Sequence, residues 1–312
     1  MSSTLERHVV TVGGLRVGAG PAVVIGGRMS LRDHRGPAAE TLRERATLVE
    51  PSAAADLPVI AARAEAVVVG AAWTRDVPLV RAVAGLGLPV VVERRPSASL
   101  EEWLALADYC AAECGDQVIL CERGRLDLGL LRAARAASGR PVLADVSADV
   151  GLSAAAVAAG ADGLVLDRSL ATGPPVSGTG TGRDAAASRA GEEETAARTD
   201  EETALRVAEE AATLVGALLR PETPATLPEC REAIDRVDAA LATLLERRAA
   251  LAGIVQTLKP VGGFAGRDPG RERDLVVRMA ARAPELGAER LTPVMNAVIE
   301  AGLHLAEDRA RR

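Results

Sequence analysis

Residues 229–259 read ECREAIDRVDAALATLLERRAALAGIVQTLK. Apolar side chains recur every three or four positions, at Ile234, Val237, Leu241, Leu244, Leu245, Leu251, Ile254, Val255 and Leu258, and the run holds no proline. That period predicts one amphipathic helix, roughly 46 Å long at 1.5 Å per residue. A helix of that length has too little of its own to pack on, so it calls for partner helices or a second copy of itself. Pro260, with Gly262 and Gly263, ends it. Lys259 closes the run and is the one lysine among 37 Lys and Arg residues. An ammonium kept where arginine is used everywhere else suggests a task for a compact point charge rather than a planar fork. Arg248 and Lys259 are about three full turns apart, so their side chains point the same way.

Beyond the break the chain reads GFAGRDPGRERDLVVRMAARA, residues 263–283. Asp268 followed by Pro269 is an N-cap with proline at the first helical position, which puts Arg271 and Glu272 in the opening turn of a second helix. A third apolar-periodic segment, 290–308, closes the unit. Arg231, Arg248, Lys259 and Arg271 form a cationic set that suits an acidic small molecule; read structurally, the same residues are a solvated helix face.

The residues REAID (231–235), Asp238, LLERRAAL (244–251), Lys259, RDPGRERDL (267–275) and VIEAGLHL (298–305) are spaced as in the all-helical chorismate mutase family, which segment 229–309 resembles. The resemblance implies a dimer with three helices per chain. It implies a Claisen rearrangement of chorismate to prephenate with no cofactor, metal or covalent intermediate. The chemistry asks for guanidiniums that clamp two carboxylates and a donor that meets the ether oxygen as charge builds on it. By resemblance, Arg231 reaches into the other protomer's site and Arg248 binds a carboxylate in its own. Lys259 meets a carboxylate and the ether oxygen, Asp268 and Glu272 hold the ring hydroxyl, and Arg271 completes the anion pocket. On the third helix the family usually carries Ser and, four residues on, Gln as a second donor; here those positions are Gly302 and Ala306. Glu307, adjacent, is the candidate replacement if protonated or rotated into place, and His304 reads as core or surface.

The larger N-terminal part repeats short apolar runs at PAVVIGG (21–27), ATLVEP (46–51), AVVVG (66–70), PVVVERR (89–95), QVILCERG (117–124), PVLADVS (141–147) and DGLVLD (162–167), with helical stretches between. Near-continuous Val and Leu of this length predicts buried parallel strands, hence an α/β barrel or a shortened one. VVTVGGLRVG before them predicts a hairpin. SLEEWLALADYCAAECGDQVILCERG (99–124), with the strand runs and EETALRVAEEAATLVGALL (201–219), resembles the DAHP synthase family. The family's site does not carry over. Its metal-binding positions are Arg28, Ala148 and Asp167, with Ser169 replacing a nearby His, and its phosphoenolpyruvate-binding Lys is Glu93. Arg94, Arg123 and Asp145 remain, and the segment for the second strand is largely missing between Arg28 and Thr47. The expectation is a degenerate barrel, short of a strand, non-catalytic, and serving dimerisation, regulation or completion of the mutase site.

The 312 residues therefore divide into a barrel domain (1–220), a Pro-rich linker (221–228) and a mutase domain (229–312), with the Gly/Ser/Thr-rich and then acidic stretch 168–200 expected as a disordered loop. A net charge of −6 argues against nucleic acid, and no apolar run of about 18 residues or signal-peptide pattern points to a membrane. Cys110, Cys114, Cys121 and Cys230 have no zinc-like spacing and read as reduced thiols of a cytoplasmic protein. Expected partners are chorismate, a second copy of the chain, and a DAHP synthase or other enzyme of the same route. The alternatives are a mutase or lyase on a chorismate analogue (the 4-amino-4-deoxy compound or isochorismate) and a non-catalytic regulatory protein.

Overall fold

Each of the seven apolar runs becomes a strand. The computed structural model describes residues 8–33, 36–42, 45–167, 183–220, 224–259, 261 and 263–311, with backbone alone for 33, 39, 183–199 and 310. A hairpin of β1 (Val10–Val12) and β2 (Leu15–Val17) turns at Gly13 and Gly14, both at positive φ as a two-residue turn of this kind requires. Then follow β3 (Val23–Ser30), β4 (Ala46–Glu50), β5 (Ala64–Val69), β6 (Val90–Glu93), β7 (Val118–Glu122), β8 (Val142–Asp145) and β9 (Gly163–Asp167). Neighbours pair in parallel and β9 returns to β3, so seven strands close a barrel. That is one strand fewer than the usual eight.

The loss lies where the sequence is short. Between β3 and β4 the described residues form a 3-10 turn (Leu31–Asp33) and a four-residue helix, α1 (Ala38–Thr41). The later connections carry α2 (Leu57–Arg63), α3 (Val77–Ala84), α4 (Leu100–Cys114), α5 (Leu128–Ser138) and α6 (Ser153–Ala159). Local chemistry fixes their ends. Ser99 and Glu102 form a capping box at the start of α4, and Gly115, Gly139 and Gly160 end α4, α5 and α6 in the left-handed conformation.

Strand alternation sorts the core into two layers. Val67, Val69, Val90, Val92, Leu120 and Leu164 face outward, under the helices, where Trp103 of α4 is almost fully buried and donates Nε1–H to the Val92 carbonyl at 3.0 Å. Ile25, Leu48, Val68, Val91, Ile119, Leu143 and Val165 fill the barrel interior, which Val10, Val12 and Val17 of the hairpin plug from one end. The plug makes the interior a packed core, and chemistry is confined to the rim formed by the strands' C-terminal ends.

Composition misled at one place. Residues 183–200, expected within a disordered loop, form the opening turns of α7 (Arg183–Leu219); residues 168–182 lie outside the described residues. Ala, Glu and Arg dominate that stretch and are strong helix formers.

The chain divides into two compact units, Met1–Ala233 and Ile234–Arg312. The division falls inside α8 (Leu227–Leu258), later than the expected linker, because α8 starts early. Thr226 and Glu229 cap it reciprocally: Thr226 N donates to the Glu229 carboxylate at 3.2 Å and Glu229 N to the Thr226 hydroxyl at 3.4 Å. The second unit adds α9 (Pro269–Ala280) and α10 (Gly287–Arg311), the three helices expected. Asp268 is the N-cap of α9, as its sequence requires. Much of the apolar stripe of α8 stays open, with Ile234 at 58% and Leu241 at 50% exposure.

Candidate functional site

In the second unit, one face of α8 and the turn after it enclose a cavity of about 290 Å³ against α9 and α10. Arg248, Gln256 and Lys259 enter from α8 and its end, Asp268, Arg271 and Glu272 from the start of α9, and Leu275, Ile299 and Leu303 supply apolar wall. Lys259 Nζ donates to the Gly266 carbonyl at 2.8 Å, which folds the side chain over the turn and leaves two ammonium protons for a ligand. Arg248 Nη1 donates to the Val298 carbonyl of α10 at 3.2 Å. Asp268 Oδ1 accepts from Gly270 N at 3.0 Å and Arg271 N at 3.1 Å, so capping fixes this carboxylate at the cavity edge. Glu272 is gripped by Arg267, which donates Nε–H to Oε1 at 3.0 Å and Nη2–H to Oε2 at 2.7 Å. Those bonds hold the Glu272 carboxyl below the usual carboxylate range and the Arg267 guanidinium above its own. The lining is predominantly cationic with apolar walls, the composition for a small anion with a hydrophobic ring.

The barrel rim is built differently. β4, β6, β8 and β9 end in Glu50, Glu93, Asp145 and Asp167, and Arg28 of β3 lies among them. Arg28 Nη2 is 2.9 Å from Glu50 and 2.6 Å from Glu93, and its Nη1 is 3.6 Å from Asp167. Arg123 pairs with Glu93 at 3.3 Å, Asp145 at 3.0 Å and Asp167 at 2.8 Å. Trp73 donates Nε1–H to Glu50 at 2.9 Å, and Ala71 N donates to Glu93 at 3.1 Å. Burial pushes the Glu93 carboxyl up despite the two arginines that oppose this. The carboxylates are thus paired with the guanidiniums of Arg28 and Arg123. Among the described residues no three His, Cys, Asp or Glu side chains converge as metal ligands would.

Residues 230–307 match the family model described as chorismate mutase type II. The second unit carries a chorismate mutase domain. Over 129 residues the chain is 31% identical to phospho-2-dehydro-3-deoxyheptonate aldolase of Thermotoga maritima, an alignment taking in 36% of this chain and 38% of that protein. The chain thus spans little more than a third of the length of that curated relative. Two solved structures are similar to it, both from Thermotoga maritima. One is a truncated form of 3-deoxy-D-arabino-heptulosonate 7-phosphate synthase (24% identity, TM-score 0.45, covering 53% of this chain and 81% of that one). The other is the phospho-2-dehydro-3-deoxyheptonate aldolase, or DAHP synthase (23% identity, TM-score 0.45, covering 53% and 64%).

The mutase cavity brings together Arg248, Lys259, Asp268, Arg271 and Glu272 of the expected set. It does not take in Arg231, which is exposed near the start of α8, or Glu307. Glu307 lies 3.5 Å from Arg311, with its carboxylate near Gly263 of the cavity turn. His304 is exposed and packs on Phe264, with ring centroids 5.0 Å apart. Three polar lining residues, Gln256, Arg267 and Arg278, escaped the sequence reading. Arg267 precedes the recognised Asp268, and its grip on Glu272 crosses the cap of α9. Gln256 lies three residues before Lys259 on the same helix face, the one signal that could have found it.

Proposed function

We propose that the protein is a chorismate mutase acting as a homodimer, isomerising chorismate to prephenate, with a barrel that does no chemistry of its own. The convergence of Arg248, Lys259 and Arg271 on one cavity with apolar walls carries the reading. Arg248 and Arg271 hold the substrate's carboxylates and fold it toward the chair in which the new carbon–carbon bond forms. Lys259, compact and already tethered at Gly266, donates to the ether oxygen as the carbon–oxygen bond breaks and negative charge accumulates there. No proton is transferred and no covalent intermediate is needed. Arg231 and the exposed stripe of α8 support the dimer: a second α8 covers the stripe and carries the other Arg231 to this cavity. The ion network at the barrel rim supports a silent first unit, because the carboxylates there are neutralised by Arg28 and Arg123.

A second reading, an isomerase or lyase on a chorismate relative with an altered ring substituent, is favoured by one observation. Both oxygens of Glu272, the residue expected to meet the ring hydroxyl, are engaged by Arg267. Chorismate loss and prephenate formation by the purified full-length protein, beside Lys259→Ala, test the first reading. Turnover abolished by the substitution supports it; absence of turnover in the intact protein overturns it.

A further inference from the structure

Gln256 is the one uncharged hydrogen-bonding side chain on the cavity wall, and its orientation is determined. Gly263 sits at φ +63, a conformation that glycine tolerates, and its N–H points back at α8. Gln256 Oε1 accepts that N–H at 2.8 Å. A backbone N–H can be met only by the carbonyl oxygen of a carboxamide, so the NH₂ end is turned away from the turn. Among the described residues that Nε2 has no partner. The other donors on the wall are the basic side chains Arg248, Lys259, Arg267, Arg271 and Arg278. Among the described residues the third helix contributes no polar side chain to this wall: its residues there are Ile299 and Leu303.

We propose that Gln256 is a catalytic residue of this mutase, its pinned carboxamide presenting a neutral N–H to the ether oxygen beside Lys259. This assignment rests on the mutase reading above. The physical case is preorganisation: the Gly263 bond fixes the carboxamide before substrate arrives, so no donor has to be reoriented as charge develops. Gln256 lies one helical turn before Lys259, and the two side chains hold opposite ends of the same turn, at Gly263 and Gly266.

The test uses the full-length protein with chorismate and three substitutions measured side by side. Gln256→Leu removes the donor and is expected to lower kcat about 100-fold with KM changed far less. Gln256→Glu keeps the oxygen that accepts from Gly263 N and so keeps the turn pinned, but presents a carboxylate where the N–H was. Its kcat at pH 7 should fall as far as that of the leucine variant and climb on acidification toward pH 5, as the carboxyl gains a proton and becomes a donor. The unsubstituted protein should show no such rise. A glutamate variant with full turnover at pH 7 and a flat profile overturns the donor role and leaves Gln256 as a support of the turn. Unchanged kcat in the leucine variant overturns it equally, provided Lys259→Ala is inactive. No turnover in the unsubstituted protein overturns the mutase reading itself, and this assignment with it.

Discussion

The guanidinium of Arg28 lies 2.6 Å from the carboxylate of Glu93 at the barrel rim, each side chain 3% exposed. By the resemblance to DAHP synthases both positions depart from that family's pattern, one from a metal-binding Cys and one from a phosphoenolpyruvate-binding Lys. The structure makes them partners: the arginine stands among carboxylates and the glutamate answers it. Two departures that would each be destabilising alone compensate one another within a network that also holds Glu50, Asp167 and Arg123. Breaking a buried pair by deleting one member costs about 3–5 kcal/mol, because the other charge stays buried. Arg28→Met should lower stability by that amount in urea unfolding, since it leaves Glu93 with Arg123 at 3.3 Å and Glu50 with Arg32 at 3.7 Å as the nearest remaining cations. Glu93→Gln should cost less, because Arg28 keeps Glu50 and Asp167 and a carboxyl whose ionisation burial already opposes is removed.

The same network predicts a negative result at the rim. Given phosphoenolpyruvate, a sugar phosphate and manganese, the protein should release no phosphate. An anionic substrate would meet Glu93, Asp145 and Asp167, and a metal would have to evict two arginines from them. Phosphate release above the background of a Glu93→Gln control, or saturable manganese binding by titration calorimetry, would show that the rim opens.

The barrel was legible because parallel strands buried on both faces read as unbroken Val and Leu, and all seven runs became strands. The three helices of the second unit were legible from period and punctuation: Lys259-Pro260 closes one and Asp268-Pro269 opens the next. The start of α7 was not, because Glu and Arg in an Ala-rich stretch signal both solvation and helix. The rim network was beyond sequence reading, since it depends on which strand ends face each other, and Arg28 and Glu93 are joined only by barrel closure. Gln256 and Arg267 were hidden for another reason: their significance lies in what they hold, a backbone N–H at Gly263 and a carboxylate one turn into α9.

Arg267 and Glu272 predict a pH dependence of stability. The Glu272 carboxyl is held below its ordinary value by the bonds from Arg267. A depressed folded-state value means the contribution is present above the unfolded carboxylate range, about 4.3, and is lost as pH falls through the folded value. Glu272→Gln should therefore shift the urea midpoint of the second unit downward at pH 7, and the gap from the unsubstituted protein should close on acidification below pH 4. A gap that persists at low pH would mean that packing, and not ionisation, sets the contribution.

Leu241 and Leu244 stand half exposed on α8 with Ile234 and Val237 in the same stripe. Sedimentation of the intact protein at micromolar concentration should give twice the chain mass. Leu241→Asp with Leu244→Asp should give a single chain and lose turnover, because a charge in a buried apolar interface is poorly tolerated and Arg231 no longer reaches its site. A fully active monomer would place the whole site in one chain and remove Arg231 from it.

Lys259 supplies the sharpest prediction, because two substitutions separate charge from shape. Alanine removes the donor to the breaking ether bond and should lower kcat by about 10²–10³. Arginine keeps the positive charge but cannot keep the geometry. The turn at Gly266 is tight enough that a Cβ there would fall 2.1 Å from the Val261 carbonyl, and Lys259 Nζ is seated on the Gly266 carbonyl at 2.8 Å. A longer, planar guanidinium tethered there presents its protons along fixed in-plane directions instead of around a rotating ammonium. Lys259→Arg should therefore bind the dianionic substrate with a KM near that of the unsubstituted protein while its kcat stays close to that of Lys259→Ala. If arginine restored kcat, net charge alone would suffice at this position, and the retention of a single lysine in so arginine-rich a chain would have no catalytic explanation.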